Sequence, residues 1–227
     1  MRGSVIAVMA CGLIAPAQAM ADTPREILTT AAFQTTDKAA ALALIGRAIA
    51  AADGILAKSP GDHEATLQRG IGIGYRAKLT KSRTDAQTSL KIFEALAAKD
   101  PRDAEAQMVV AGWHLDAIDQ LGGFIARTVL GAKRAVGDAA LDRAVALGRG
   151  RAFFPGLAAM MTIRQDYDDV SSARVLAEAA IAAPATTPLD QLMKRNAAAI
   201  LPALRAGKGK AAADLSRTLL PFGRLKG

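Results

Sequence analysis

Residues 100–116 read DPRDAEAQMVVAGWHLD, and the order of those residues decides the fold. Asp100-Pro101 ends a helix, because proline disfavours helical backbone at the residue before it. Asp103 opens the next one. Its carboxylate can accept hydrogen bonds from the first free amides of a helix, and Glu105 in that first turn suits the positive end of the helix dipole. Mostly apolar and small residues follow, around the only tryptophan, Trp113. A worn copy lies upstream in residues 59–72, SPGDHEATLQRGIG. Pro60-x-Asp62-x-Glu64-Ala65 recurs as Pro101-x-Asp103-x-Glu105-Ala106, 41 residues later. Each proline closes one helix and each aspartate opens the next, which is the logic of stacked antiparallel hairpins.

Composition agrees. Apolar residues make up 51% of the 227, aromatics only 4%, and the apolar fraction is mostly Ala and Leu, both good helix formers. Val, Ile, Thr, Phe and Tyr never gather into the alternating runs of strands. The expected class is all-α, a short α-solenoid with a C-terminal capping helix.

Working outward, Asp37 caps a helix carrying Leu42, Ile45, Ile49, Ile55 and Leu56 at helical spacing, ending near Lys58 before Pro60. Asp62 caps a second, in which Leu67, Ile71 and Tyr75 share a face. Gly70, Gly72 and Gly74 interrupt it at a cost of about 1 kcal/mol each against alanine. No strand precedes them and no Gly-Lys-Ser/Thr follows, so they read as close approach of a neighbouring helix or ligand rather than a phosphate loop. Thr84 or Asp85 begins a third helix, ending at Lys99. After His114 the period stretches through an apolar excursion with Leu121, Phe124, Ile125, Val129 and Leu130, a Gly122-Gly123 pair and Arg127. A helix resumes near Gly137-Asp138. Helices over about 151–164, from 170 to Pro184 and from Thr187 or Asp190 to Arg205 come next. Gly207-Lys208-Gly209-Lys210 reads as a flexible basic hinge before a last helix, Ala211 to Leu220. The expected organisation is 1–21 signal segment, 22–36 lead-in (loose or a short helix), 37–206 repeat domain and 207–227 basic helix and tail.

The pattern resembles the tetratricopeptide repeat. Ser89, Phe93, Leu96 and Pro101 fit the family's slots on a second helix, as do Ala48, Ala52, Ile55 and Pro60 before them. Val110 and Ala111 fall on its leucine-glycine pair and His114 on its tyrosine, while 41 residues exceed the family period of about 34. Over residues 60–183, the run AGWHLDAIDQLGGFIARTVLG and then AALDRAVALG is similar to the tetratricopeptide-like segment of the regulator-of-microtubule-dynamics family. The resemblance implies a helical-repeat fold and a concave binding surface, not a particular partner.

At the N-terminus, Met1-Arg2-Gly3-Ser4 precedes the apolar run Val5–Ala15, and Ala17-Gln18-Ala19 or Ala19-Met20-Ala21 offers a small-x-small cleavage site. This reads as a bacterial signal peptide, cut after Ala19 or Ala21, with a periplasmic or secreted product. The single cysteine, Cys11, reads as part of the signal core rather than a lipidation site, so the mature chain has no disulfide and rests on packing.

Catalytic constellations are missing from the sequence. The only histidines are His63 and His114. His114 and Asp116 stand two apart, and on a helix such residues do not face one another. His114 therefore reads as a packed histidine before a ligand or base, and Trp113 as core or groove wall. Asp166, Asp168 and Asp169 lack the glycine and distal glutamate of an EF-hand and read as turn and cap residues. No serine has a Gly-x-Ser-x-Gly setting. The expectation is a protein that is not an enzyme, with no metal and no cofactor.

Two readings of function stand side by side. The first is a scaffold whose concave surface binds a protein or peptide. The second is a binder of a small apolar ligand between the hairpins, as tetratricopeptide-like periplasmic partners of transporters suggest by resemblance. For either, the binding residues expected are Trp113, His114, Tyr75, Phe124 and Arg127, at the junction where the repeat leaves its period. The net charge of +8 admits nucleic acid, anionic membrane or an acidic partner, and export argues against nucleic acid. The basic C-terminus, Lys194 to Lys226, is either a solubilising face or a contact for an anionic envelope surface.

Overall fold

Local capping chemistry sets the helix boundaries in a computed structural model, which describes residues 22–226. The signal segment and Cys11 lie outside the described residues. The described residues are helical throughout, with no strand: α1 Pro24–Phe33, α2 Lys38–Lys58, α3 His63–Thr80, α4 Arg83–Lys99, α5 Ala104–Leu121, α6 Gly123–Ile125, α7 Arg134–Leu147, α8 Phe153–Gln165, α9 Val170–Ala182, α10 Pro188–Arg205 and α11 Gly209–Leu219. A π-helical turn, Ala126–Leu130, continues α6.

The aspartates act as their sequence positions suggest. Asp37, Asp62 and Asp103 each accept from amides of the first turn of α2, α3 and α5. Asp169 caps α9, and Thr187 with Asp190 forms a capping box on α10. The start of α4 differs from expectation: Ser82 is its cap, accepting from the Asp85 amide. The lead-in is α1, opened by a full capping box of Thr23 and Glu26 with Pro24 in its first turn. Ile27, Leu28, Ala31 and Ala32 of α1 are buried in the main core, so this segment belongs to the packed array.

Successive helices pack on one another: α1 on α2, α2 on α3, α3 on α4, α4 on α5, α5 on α7, α8 on α9 and α9 on α10, with α11 folding back onto α8 and α10. Connections of a few residues make the successive pairs from α1 to α5 and from α8 to α10 run antiparallel. The glycines of α3 permit its close contacts. A Cβ on Gly70 would stand 2.7 Å from Phe93 Cε1, and one on Gly72 2.8 Å from Ile49 Cγ1, so α3 presses bare backbone against α4 on one side and α2 on the other.

The end of the chain closes the array. The amides of Phe222 and Lys226 donate to the carbonyls of Ala32 (2.8 Å) and Thr36 (3.0 Å). Leu220 and Phe222 are buried, and Phe222 meets Tyr75 edge-on with ring centroids 4.9 Å apart. The C-terminal residues thus bridge α1 and α3, instead of trailing from the last helix.

Candidate functional site

The helices α1, α3, α5 and α8 are the inward members of their pairs, and they run side by side in one direction. Their starts meet: Arg25 of α1 donates to Glu64 of α3 (2.6 and 2.7 Å) and to Glu105 of α5 (2.6 Å), and Arg151, just before α8, donates to Glu105 at 2.6 Å. Arg151 also reaches the fully buried Asp190 at 3.2 Å. Their ends meet as well: Lys78 of α3 and Arg164 of α8 both donate to Asp116 Oδ1 of α5, at 2.9 and 3.0 Å. Between these two charge clusters lies a cavity of about 400 Å3, within the ~300–1,000 Å3 of ligand pockets.

Its wall is chiefly apolar. Leu28, Ile71, Met108, Trp113, Leu157 and Met161 face it from the four inward helices, and Leu220 and Pro221 of the C-terminal segment complete it. Ile125, Val129 and Leu130 form a lip at the end where α3, α5 and α8 finish. That lip turns away from α5 at Gly122 and ends at Gly131, both at φ 77°, a left-handed conformation suited to glycine. π-Turns of this kind recur at functional sites.

The residues singled out from sequence divide. Trp113 and Tyr75 line the cavity. Trp113 also ties α5 to α4, its Nε1 donating to the Ala86 carbonyl at 2.8 Å. His114 is buried outside the cavity lining, packed over Gly137 of α7. Its Nδ1 accepts from the Lys133 amide at 3.3 Å, and its Nε2 is buried with no protein partner. Burial, and secondarily Lys133, hold its pKa below the ordinary value, so it is a neutral packing residue. Phe124 and Arg127 point outward on the lip, Phe124 with 72% of its surface exposed. The other histidine, His63, stands 2.7 Å from Asp103 Oδ2. Among the described residues, no group of three His, Cys, Asp or Glu is arranged to hold a metal ion. Asp166 and Asp169 bond to backbone amides of their own turn and of α9.

The charged ends were not singled out, although Glu64 and Glu105 hold one register in the repeat. That shared register was a signal that both face the same side. Burial alone would raise the Glu105 carboxyl, but Arg25 and Arg151 outweigh it and hold the pKa low. Asp116 behaves likewise, with Lys78 and Arg164 overcoming burial. Tyr75 is pushed the other way, its phenol raised by burial and by the nearby Asp116 charge. Both carboxylates are therefore ionised at neutral pH, and neither is poised as an acid or base.

Of the basic C-terminal residues, Arg205 pairs with Glu178, and Lys210 and Arg217 share Asp214. No family model, no curated protein and no solved structure matches this chain.

Proposed function

We propose that this protein is an exported, non-enzymatic helical-repeat protein of tetratricopeptide-like design that holds a small apolar molecule inside its array. One observation carries the reading: a partly open apolar cavity of about 400 Å3 walled by four parallel helices and the C-terminal segment. An extended peptide that runs through a groove needs both ends open. Here one end is crossed by the Arg25–Glu105–Arg151 ion pairs. The scaffold reading keeps one observation in its favour: Phe124, Ile125 and Val129 are exposed together on the lip, where a protein partner or peptide could cover them.

Gly112 supplies the test. It lines the cavity, and a Cβ there meets nothing within 4 Å. Gly112→Leu should fill the cavity without disturbing backbone. The apolar dye N-phenyl-1-naphthylamine should bind the natural protein, quench or shift Trp113 fluorescence, and lose its binding in Gly112→Leu. A dye affinity unchanged in that variant would place the dye elsewhere and defeat the ligand reading.

A further inference from the structure

The cavity is apolar along its length but not at the end where α3, α5 and α8 finish. There Asp116 accepts three hydrogen bonds: its Oδ1 accepts from Lys78 and Arg164, and its Oδ2 accepts from Gln120. The two cations keep more unused capacity. An ammonium carries three N–H donors and a guanidinium five. Lys78 gives one to the protein. Arg164 gives one hydrogen bond and stands 3.7 Å from Asp119. Arg164 is only 8% exposed, and its Nε is buried without a hydrogen-bond partner. Lys81 and Arg83 add positive charge at the mouth. A buried donor without an acceptor is costly, so a cavity end whose unused capacity is chiefly in two cations is matched by a ligand that carries acceptors.

We propose that the cavity takes an amphipathic anion: a carboxylate at Arg164 and Lys78, with an apolar tail lying along Met108, Trp113, Leu157 and Met161. The carboxylate oxygens accept the free N–H groups of the two cations, which also hold Asp116. A guanidinium offers two parallel donors to such a group. The tail runs toward the Arg25–Glu105 pair, which stops it. This inference rests on the reading of the cavity as a ligand site, and its test separates the two.

The experiment is competition against bound N-phenyl-1-naphthylamine at neutral pH, with decanoate, decanol and decylamine below their micelle-forming concentrations. Decanoate should displace the dye at a concentration on the order of tenfold below that of decanol, the worth of one charge-assisted hydrogen bond. Decylamine should be the weakest. Added salt should weaken decanoate and leave decanol unchanged. Lys78→Met and Arg164→Met should each reduce the preference for decanoate while keeping decanol affinity. If Arg164→Met does not fold, Lys78→Met and the salt series decide the matter alone. Decanol equal to decanoate in the natural protein, or a preference that survives in Lys78→Met without salt dependence, would overturn the anionic head group while leaving an apolar ligand in place. Failure of all three compounds to displace the dye would instead overturn the cavity as a ligand site.

Discussion

The amide of Phe222 donates to the carbonyl of Ala32 at 2.8 Å, fastening the C-terminal segment to α1. The Phe222 side chain is buried against Tyr75, and the backbone holds φ at 67° there, a conformation rare outside glycine and kept only by surrounding contacts. Phe222→Ala removes the ring that anchors this clasp. Buried aromatic truncations cost ~3–5 kcal/mol, and a site at the chain end belongs at the low end, about 3 kcal/mol. Phe124→Ala, on the exposed lip, should stay within about 0.5 kcal/mol. Urea unfolding measures both. Equal midpoints for the two variants would mean that the terminal segment does not hold the array closed.

The ion pairs at the other end of the cavity respond to acid. The Glu105 pKa is depressed in the folded chain, so its contribution to stability is present above the ordinary carboxylate value of about 4.3 and is lost as pH falls through the folded value. Asp116 has the same sign. The contribution of these two carboxylates should therefore hold steady from neutral pH down to the carboxylate range and then fall. Glu105→Gln removes the negative charge between Arg25 and Arg151 and one of the two oxygens that accept from them, although Glu64 and Asp190 still engage the arginines. The variant should lose about 2 kcal/mol at neutral pH, in the range of hydrogen bonds to charged groups, and show a shallower acid limb. A variant whose pH profile runs parallel to that of the natural protein would contradict this assignment.

His114 adds a second, earlier slope. Its folded pKa lies below the ordinary value because of burial and then Lys133. The neutral ring is the folded form, and its contribution is complete above the unfolded value of about 6.5 and is lost as pH falls below it. NMR titration of the two imidazoles should show His114 titrating below its ordinary range. His114→Gln should flatten the stability profile between the histidine and carboxylate ranges and leave dye binding unchanged, since His114 does not line the cavity. Loss of dye binding in a folded His114→Gln would return this residue to the site.

How much of this was legible in the sequence depends on the range of each interaction. Asp37, Asp62 and Asp103 announce helices because a cap bonds amides two or three residues away. The same chemistry is written in Thr23-Pro24-Arg25-Glu26, in a polar, threonine-rich run that fits either a loose lead-in or a short helix; burial of Ile27, Leu28, Ala31 and Ala32 decides for the helix. The pairing of Arg25 with Glu105 spans 80 positions and the clasp of Phe222 on Ala32 spans the whole array. Neither has a local signature. Trp113 and Tyr75 face the cavity because they lie on the inward sides of α5 and α3. His114, one residue on from Trp113, is carried about 100° round the helix to face α7. Adjacency in sequence grouped two residues that the helix separates.

Two glycines on inward helices make opposite predictions from the same propensity. Replacing a helical glycine by alanine gains about 1 kcal/mol of intrinsic helix preference. At Gly112 nothing stands within 4 Å of the new Cβ, so Gly112→Ala should realise that gain and raise the urea midpoint. At Gly70 the new methyl would meet Phe93 Cε1 at 2.7 Å and Ile92 Cγ2 at 2.9 Å. Phe93 is buried in the main core, so its ring cannot swing clear without forcing α3 and α4 apart. Overpacking of this kind costs ~1–3 kcal/mol, which exceeds the propensity gain, and Gly70→Ala should lower the midpoint. The sign of the difference decides the matter. A Gly70→Ala protein more stable than the natural one would mean that α3 and α4 do not approach this closely, whereas a destabilised Gly112→Ala would mean that the cavity wall beside Trp113 is already filled.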